Sequence, residues 1–218
     1  MTMNCAGCKE KACAKGKDCT DIAEDAKVAY KDKGDAEVLK SLRVSARIES
    51  RYYMKKTRIE EVIQYAQEMG YKRVGVAFCI GLENEAEILC SILSHYFDVS
   101  SVCCKVCGID KSYFELERLR KDRAVNDKGT VAGAKVEMVP EEGEAMCNPI
   151  GQALILNREK TDLNIILGLC IGHDILFTKY AEAPVTTLAV KDRVLAHNPL
   201  GALYSGYYLK KLRKTTQR

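Results

Sequence analysis

Apolar residues recur at spacings of three and four from Asp21 to Glu68. Ile22, Ala26 and Ala29 come first, then Val38, Leu39, Leu42 and Ala46, then Ile59, Val62, Ile63 and Ala66. That spacing gathers apolar side chains on one helical face and predicts two or three helices. Gly34 and the polar stretch near Thr57 punctuate the pattern, and Thr57 with Glu60 has the separation of a capping box. At Gly70 the period changes. The run YKRVGVAFCIG is short, apolar and β-branched, is bounded by glycines, and leads into an amphipathic segment, Glu83–Tyr96. This predicts a strand feeding a helix.

The same alternation returns in DVSSVCC (98–104), DLNIILGLC (162–170) and PVTTLAV (184–190). Helical patterns follow at Tyr113–Lys121, Pro149–Asn157, His173–Tyr180 and Pro199–Lys210. Continuously apolar strands alternating with helices imply an α/β fold, a Rossmann-like, mainly parallel sheet of about four strands with helices on both faces. The expected organisation is a cysteine-rich metal knuckle at 1–20, a helical segment at 21–69 packing on the core, and an α/β domain at 70–218. An irregular insertion at 122–147, rich in glycine and polar residues, is a candidate lid or ligand-bearing loop.

Composition narrows the setting. No apolar run approaches the roughly 18 residues of a membrane span, and no apolar stretch follows a basic start at the N-terminus. No membrane partner is expected, and the location is cytoplasmic. Eleven cysteines are then the feature that needs a reason, because a reducing cytosol does not sustain a disulfide framework and an odd count cannot be fully paired. Metal binding or thiol chemistry follows. The net charge of +4 is too small, and aromatic residues too rarely interleaved with basic ones, to make nucleic acid an expected partner.

Cys5, Cys8, Cys13 and Cys19 follow the spacing C-x2-C-x4-C-x5-C. Four thiolates so close in sequence suit a tetrahedral zinc ion or an iron–sulfur cluster, and spacing does not choose between them. The first 20 residues hold too little apolar surface to order themselves, so a bound ion is expected to stabilise them. A second set of cysteines falls at strand ends. Cys79 follows the first strand, Cys104 ends the second with Cys107 just beyond, Cys170 ends the third, and Cys147 precedes the helix that Asn148–Pro149 opens. Ligands of open α/β sheets gather outside the carboxyl ends of the strands, so these residues are candidates for a second cysteine site at the rim. Its expected ligands are Cys79, Cys107, Cys147 and Cys170, with Cys104 as a substitute. His173 is a candidate nitrogen ligand or catalytic proton donor, with Asp174 placed to orient it. No nucleotide is expected. The first strand-to-helix turn, CIGLENEAE, has one glycine where the dinucleotide fingerprint needs three, and its carboxylates repel phosphate.

The first three cysteines resemble the opening of the C-x2-C-x4-C iron–sulfur domain of corrinoid-linked and electron-transfer proteins of anaerobes, although Cys19 follows sooner than the fourth cysteine does there. The knuckle together with FCIGLENEAEIL, CCKVCGIDK, MCNPIGQALILN and LGLCIGHDILF resembles domain-of-unknown-function family 1847, predicted metal-binding proteins of anaerobic bacteria and archaea. That resemblance implies metal binding and no particular reaction. Two classes of function remain. In one, the cysteine sites carry iron–sulfur clusters for redox chemistry or electron transfer to a redox partner protein, or for an enzyme working under the 122–147 lid. In the other, the knuckle is structural zinc and the rim is a non-catalytic metal- or sulfur-trafficking site.

Overall fold

The computed structural model describes residues 3–31, 36–117 and 143–215. They fall into two compact units, Met1–Lys56 and Thr57–Arg218. The first holds a short 3-10 helix at Ala12–Lys15 and two helices, α1 (Ala23–Lys31) and α2 (Ala36–Tyr52), the latter burying Val44 and Ile48.

The second unit opens with α3 (Arg58–Met69). Its start is fixed by the capping box: the Thr57 side chain accepts from Glu60 N, and the Glu60 carboxylate accepts from Thr57 N at 2.7 Å. Four strands follow, β1 (Arg73–Phe78), β2 (Asp98–Cys103), β3 (Leu163–Leu169) and β4 (Val185–Val190). They form one sheet in the order β2-β1-β3-β4, and every pairing is parallel. The linking helices are α4 (Glu83–Leu93), α5 (Pro149–Arg158) and α6 (His173–Tyr180), and two further helices, α7 (Gly201–Tyr204) and α8 (Gly206–Thr215), come after β4. The architecture is α/β and Rossmann-like.

Alternation along the strands distributes the helices over two faces. Val74, Val76, Leu163, Ile165 and Leu167 meet Val62 and Ala66 of α3 and Ala86, Leu89 and Leu93 of α4. Ala77, Val102 and Ile166 face the other way, toward Ala153 and Leu156 of α5 and Phe177 of α6. With both faces covered, all seven residues of β3 are buried, which is why that strand reads as an unbroken apolar run.

Two glycines matter to this arrangement. Gly75 pairs with Asn164 across β1 and β3, and a Cβ there would stand 2.1 Å from Asn164 Oδ1. Gly168 has φ +70°, which only glycine adopts freely, and sits where the β3–β4 register shifts. The bulge ends regular pairing just before Cys170.

The chain runs from β1 outward to β2, then returns to place β3 on the other side of β1. The sheet therefore reverses its winding between β1 and β3, with α4 leaving β1 over one face and α6 leaving β3 over the other. Open sheets of this kind have a crevice at that point, outside the carboxyl ends of the strands.

Two local expectations change. Of the helix expected at Tyr113–Lys121, residues 118–121 lie outside the described residues, and the segment before them holds a 3-10 turn, Lys111–Phe114, ended by Glu115 in the left-handed region. The helix expected at Pro199–Lys210 is broken at Ser205, whose extended backbone separates α7 from α8. Most of the 122–147 insertion, expected as a lid, lies outside the described residues. Its last part returns beside residue 110, with an antiparallel bridge from Ala145 to Asp110.

Candidate functional site

Backbone hydrogen bonds stitch three segments together at the carboxyl end of the sheet. Cys79 N donates to Leu167 O at 3.2 Å, joining the ends of β1 and β3. Cys104 N donates to Phe78 O at 2.9 Å, and Asn148 N donates to Cys104 O at 2.7 Å, so the start of α5 is fastened to the end of β2. Asn148 then caps α5, its Oδ1 accepting from Gly151 N at 2.8 Å, with Pro149 in the first turn. Gln152, fully buried in that helix, donates through Nε2 to Phe78 O at 3.1 Å and Val102 O at 2.7 Å. The residue before the cap, Cys147, is thereby held half-buried at the amino-terminal end of a ten-residue helix.

Two side chains act most strongly on the ionisation of the Cys147 sulfur, those of Cys104 and His173. Cys104 is 2% exposed and comes from the end of β2, whereas His173 is the first residue of α6, on the β3 side of the crevice. The Cys104 bond and then the His173 bond favour the Cys147 thiolate, and the charges of Lys105 and His173 add to them. Against the opposing effect of burial, the Cys147 thiol is pulled down to about 4. Cys104 moves the other way. Its bond to Cys147 and its burial hold the proton on its own sulfur, outweighing the Ile80 N–H that reaches Cys104 Sγ at 3.4 Å. The pair thus has one ionised, accessible sulfur backed by one buried, protonated sulfur.

On the far side of the crevice, Arg193 Nη2 donates to Cys170 Sγ at 3.1 Å. That bond first, and the charges of Cys170, Cys79 and Cys147 next, raise the Arg193 guanidinium against the opposing effect of burial. Asp174, expected to orient His173, has its Oδ1 accepting from Ile175 N at 2.8 Å. Cys107 is exposed in a kinked turn with φ 70°, and Cys90 packs half-buried against the α3–α4 side of the core. Lys105, Gln152 and Arg193 are site residues that the cysteine pattern did not point to. A signal for two of them existed, because Lys105 directly follows β2's terminal cysteines and Arg193 lies just past the end of β4.

The metal expectations are overturned. Among the described residues, no three or more His, Cys, Asp or Glu side chains are grouped so as to hold a metal ion. Cys5, Cys8, Cys13 and Cys19 are all free and exposed. Their segment is shaped by its own backbone. Cys8 N donates to Cys5 O at 3.3 Å, Gly16 N to Cys13 O at 3.0 Å, and Lys11 Nζ reaches Cys5 O. In these turns all four residues stay exposed and are not grouped around a centre. At the rim, Cys79, Cys104, Cys107, Cys147 and Cys170 fail as a ligand set for different reasons. Cys104 presents its proton to Cys147, Arg193 takes the sulfur of Cys170, and Cys107 stands in solvent. The expected zinc or iron–sulfur cofactor, and the metal ion or cluster as a partner, have no site among the described residues. Electron transfer to a redox partner protein and the alternative of structural zinc with a metal- or sulfur-trafficking rim lose their basis with them. No described helix is long and apolar enough to cross a membrane.

Residues 13–188 match the family described as "Protein of unknown function (DUF1847)", and the chain belongs to that family. It is 56% identical over 211 residues to the uncharacterized protein MJ0455 of Methanocaldococcus jannaschii, covering 96% of this chain and 98% of that protein. No solved structure matches.

Proposed function

We propose that this member of the family is a cysteine-nucleophile enzyme, in which the Cys147 thiolate attacks an acyl carbonyl and His173 manages the protons. The observation that carries this reading is the pairing at Cys147. One sulfur, half-buried just before a capped helix amino terminus that is fastened to Cys104, has its ionised form favoured by a buried thiol and by an imidazole at the switch point of the sheet. A structural cysteine needs neither partner. A thiolate, not a thiol, is the reactive form, and a positioned base beside it is the signature of covalent catalysis.

The chemistry closes on these groups. The Cys147 sulfur forms a bond to the carbonyl carbon while the carbonyl π pair moves to oxygen. Collapse of that adduct expels the leaving group, which takes a proton from His173, and leaves a thioester on Cys147. His173 then removes a proton from water or an acceptor alcohol or amine. The oxygen or nitrogen so activated attacks the thioester, and Cys147 departs as the thiolate. Cys104 keeps its proton throughout and acts as a positioning residue, stabilising negative charge on Cys147 between turnovers. All eleven cysteines are free thiols, and such a nucleophile needs reducing surroundings, which supports a cytoplasmic location.

The test is acylation by an activated aryl acetate, mapped by peptide mass spectrometry. The acetyl group is expected on the Cys147 peptide, transient in the wild type and persistent in His173→Ala, where thioester breakdown has lost its base. Acetylation spread evenly over the exposed cysteines, with none preferred at Cys147, would overturn the assignment.

A further inference from the structure

Past the end of β4, Lys191 lies across the crevice. Its backbone N–H donates to Leu169 O at 3.1 Å, which anchors it beside β3. Its side chain crosses the β3 end, since its Cδ lies 4.0 Å from where a Cβ on Gly168 would be. The ammonium reaches the β1 turn, where a Cβ on Gly81 would stand 3.1 Å from Lys191 Nζ. Gly81 thus leaves room for the charged head, while a Cβ on Gly168 would meet Leu82 Cδ1 before the lysine stem. Two residues on, Arg193 extends to Cys170 Sγ.

Neither cation is ion-paired among the described residues. Asp192, lying between them, is committed to its own loop, its Oδ1 accepting from Val194 N and Leu195 N at 2.9 Å each. The guanidinium senses the charge of Cys147 as well as that of Cys170 and Cys79. Two cations without carboxylate partners among the described residues therefore stand at a crevice whose anionic group is a thiolate, and forming the thioester removes that negative charge.

We infer that Lys191 and Arg193 form an anion subsite beside Cys147, and that the acyl compound attacked there carries a carboxylate seated between them. This rests on Cys147 being the nucleophile. The charge of the ligand follows from the cations. Its being a singly charged carboxylate follows from Glu83 and Glu85 in the first turn of α4, just beyond Gly81, which penalise a doubly charged phosphate more.

Two alkylating agents of similar size and different charge test this on the intact chain. Iodoacetate carries the carboxylate and iodoacetamide does not, and in both cases a sulfur–carbon bond forms as iodide leaves. Rates are followed on the Cys147 peptide at low ionic strength, with the Cys5 and Cys8 peptides as references in the same molecule. The iodoacetate-to-iodoacetamide rate ratio should be higher at Cys147 than at Cys5 or Cys8. It should fall about fivefold in Arg193→Gln and in Lys191→Gln, stay near the wild-type value in Lys191→Arg, and shrink with added salt. If both glutamine variants keep the ratio within about twofold while wild-type Cys147 still reacts rapidly with iodoacetamide, the subsite is overturned and the nucleophile stands. Sluggish alkylation of wild-type Cys147 by both reagents removes the nucleophile and the subsite together. Protection of Cys147 by inorganic phosphate but not by acetate, at matched ionic strength, overturns the carboxylate.

Discussion

Replacing Cys104 with alanine removes the group that contributes most to ionising Cys147 and leaves His173 and Lys105 in place. A hydrogen bond to a charged group contributes about 1.5–3 kcal/mol. At 1.36 kcal/mol per pH unit, its loss moves the Cys147 titration midpoint up by about one to two pH units from its wild-type position near 4. The rate at any single pH is a poor readout of this change. At pH 5 the thiolate fraction drops roughly twofold to tenfold, but a more basic sulfur is intrinsically more nucleophilic, with a Brønsted slope of about 0.4–0.5, which offsets most of the loss. The midpoint of the full profile is the diagnostic quantity, with a plateau above pH 7 that is severalfold higher in the variant. Iodoacetamide labelling of the Cys147 peptide between pH 3 and pH 9 gives both. Cys104→Ser keeps an O–H donor at the same place and should restore most of the shift. Because Ile80 N–H loses its sulfur acceptor in Cys104→Ala, circular dichroism must show the fold intact before the profile is read. A wild-type midpoint in the ordinary thiol range, or one near 4 that the alanine variant leaves in place, would refute the pairing as the source of activation.

Two other outcomes follow from the same structure. Gly75→Ala should cost roughly 2–4 kcal/mol in urea unfolding, because its Cβ would stand 2.1 Å from Asn164 Oδ1 and 2.8 Å from Leu156 Cδ1. The shift also disturbs the 2.8 Å bond that Asn164 accepts from Thr161. Stability should also fall with pH in a window set by Cys147. Its folded-state ionisation is depressed, so its contribution is complete above the ordinary cysteine value of 9.0 and is lost as pH falls through about 4. Cys104, raised in the folded state, opposes this only above its ordinary value. Urea midpoints of the wild type and Cys147→Ser, compared from pH 9 down to pH 4, should therefore converge toward the acid end.

The fold was legible where local pattern and global packing agree. Strand 162–170 is continuously apolar because helices cover both faces of β3, and the Thr57–Glu60 spacing named a cap that forms. Failure came where the pattern was thin. Tyr113, Phe114 and Leu116 are neighbours in sequence, not residues one helical turn apart, and the two aromatic rings pack on each other at 4.7 Å in a 3-10 turn. Ser205 likewise carries no apolar periodicity to bridge α7 and α8.

The site was legible in position but not in chemistry, and the reason is physical. Strand order and the carboxyl-end rule decide which sequence positions reach one rim, and a residue's place relative to a strand end can be read from a single chain. Whether sulfurs that reach the rim share a metal depends on where each proton and each neighbouring cation sits, to within an ångström or so. Cys104 is adjacent to Cys103, and one residue of register decides which of the two faces the start of α5. It is Cys104, 2% exposed and bonded through its backbone to Asn148. Burial on that side favours the thiol, and placement just before a capped helix favours the thiolate at Cys147, so a single proton is partitioned between two sulfurs. A metal site needs every ligand sulfur ionised at once, with the ion's charge to stabilise them. Here lysine and imidazole favour ionisation of one sulfur, Cys147, while arginine bonds another, Cys170. The same residue types at the same strand ends then give an asymmetric nucleophile instead of a symmetric cage.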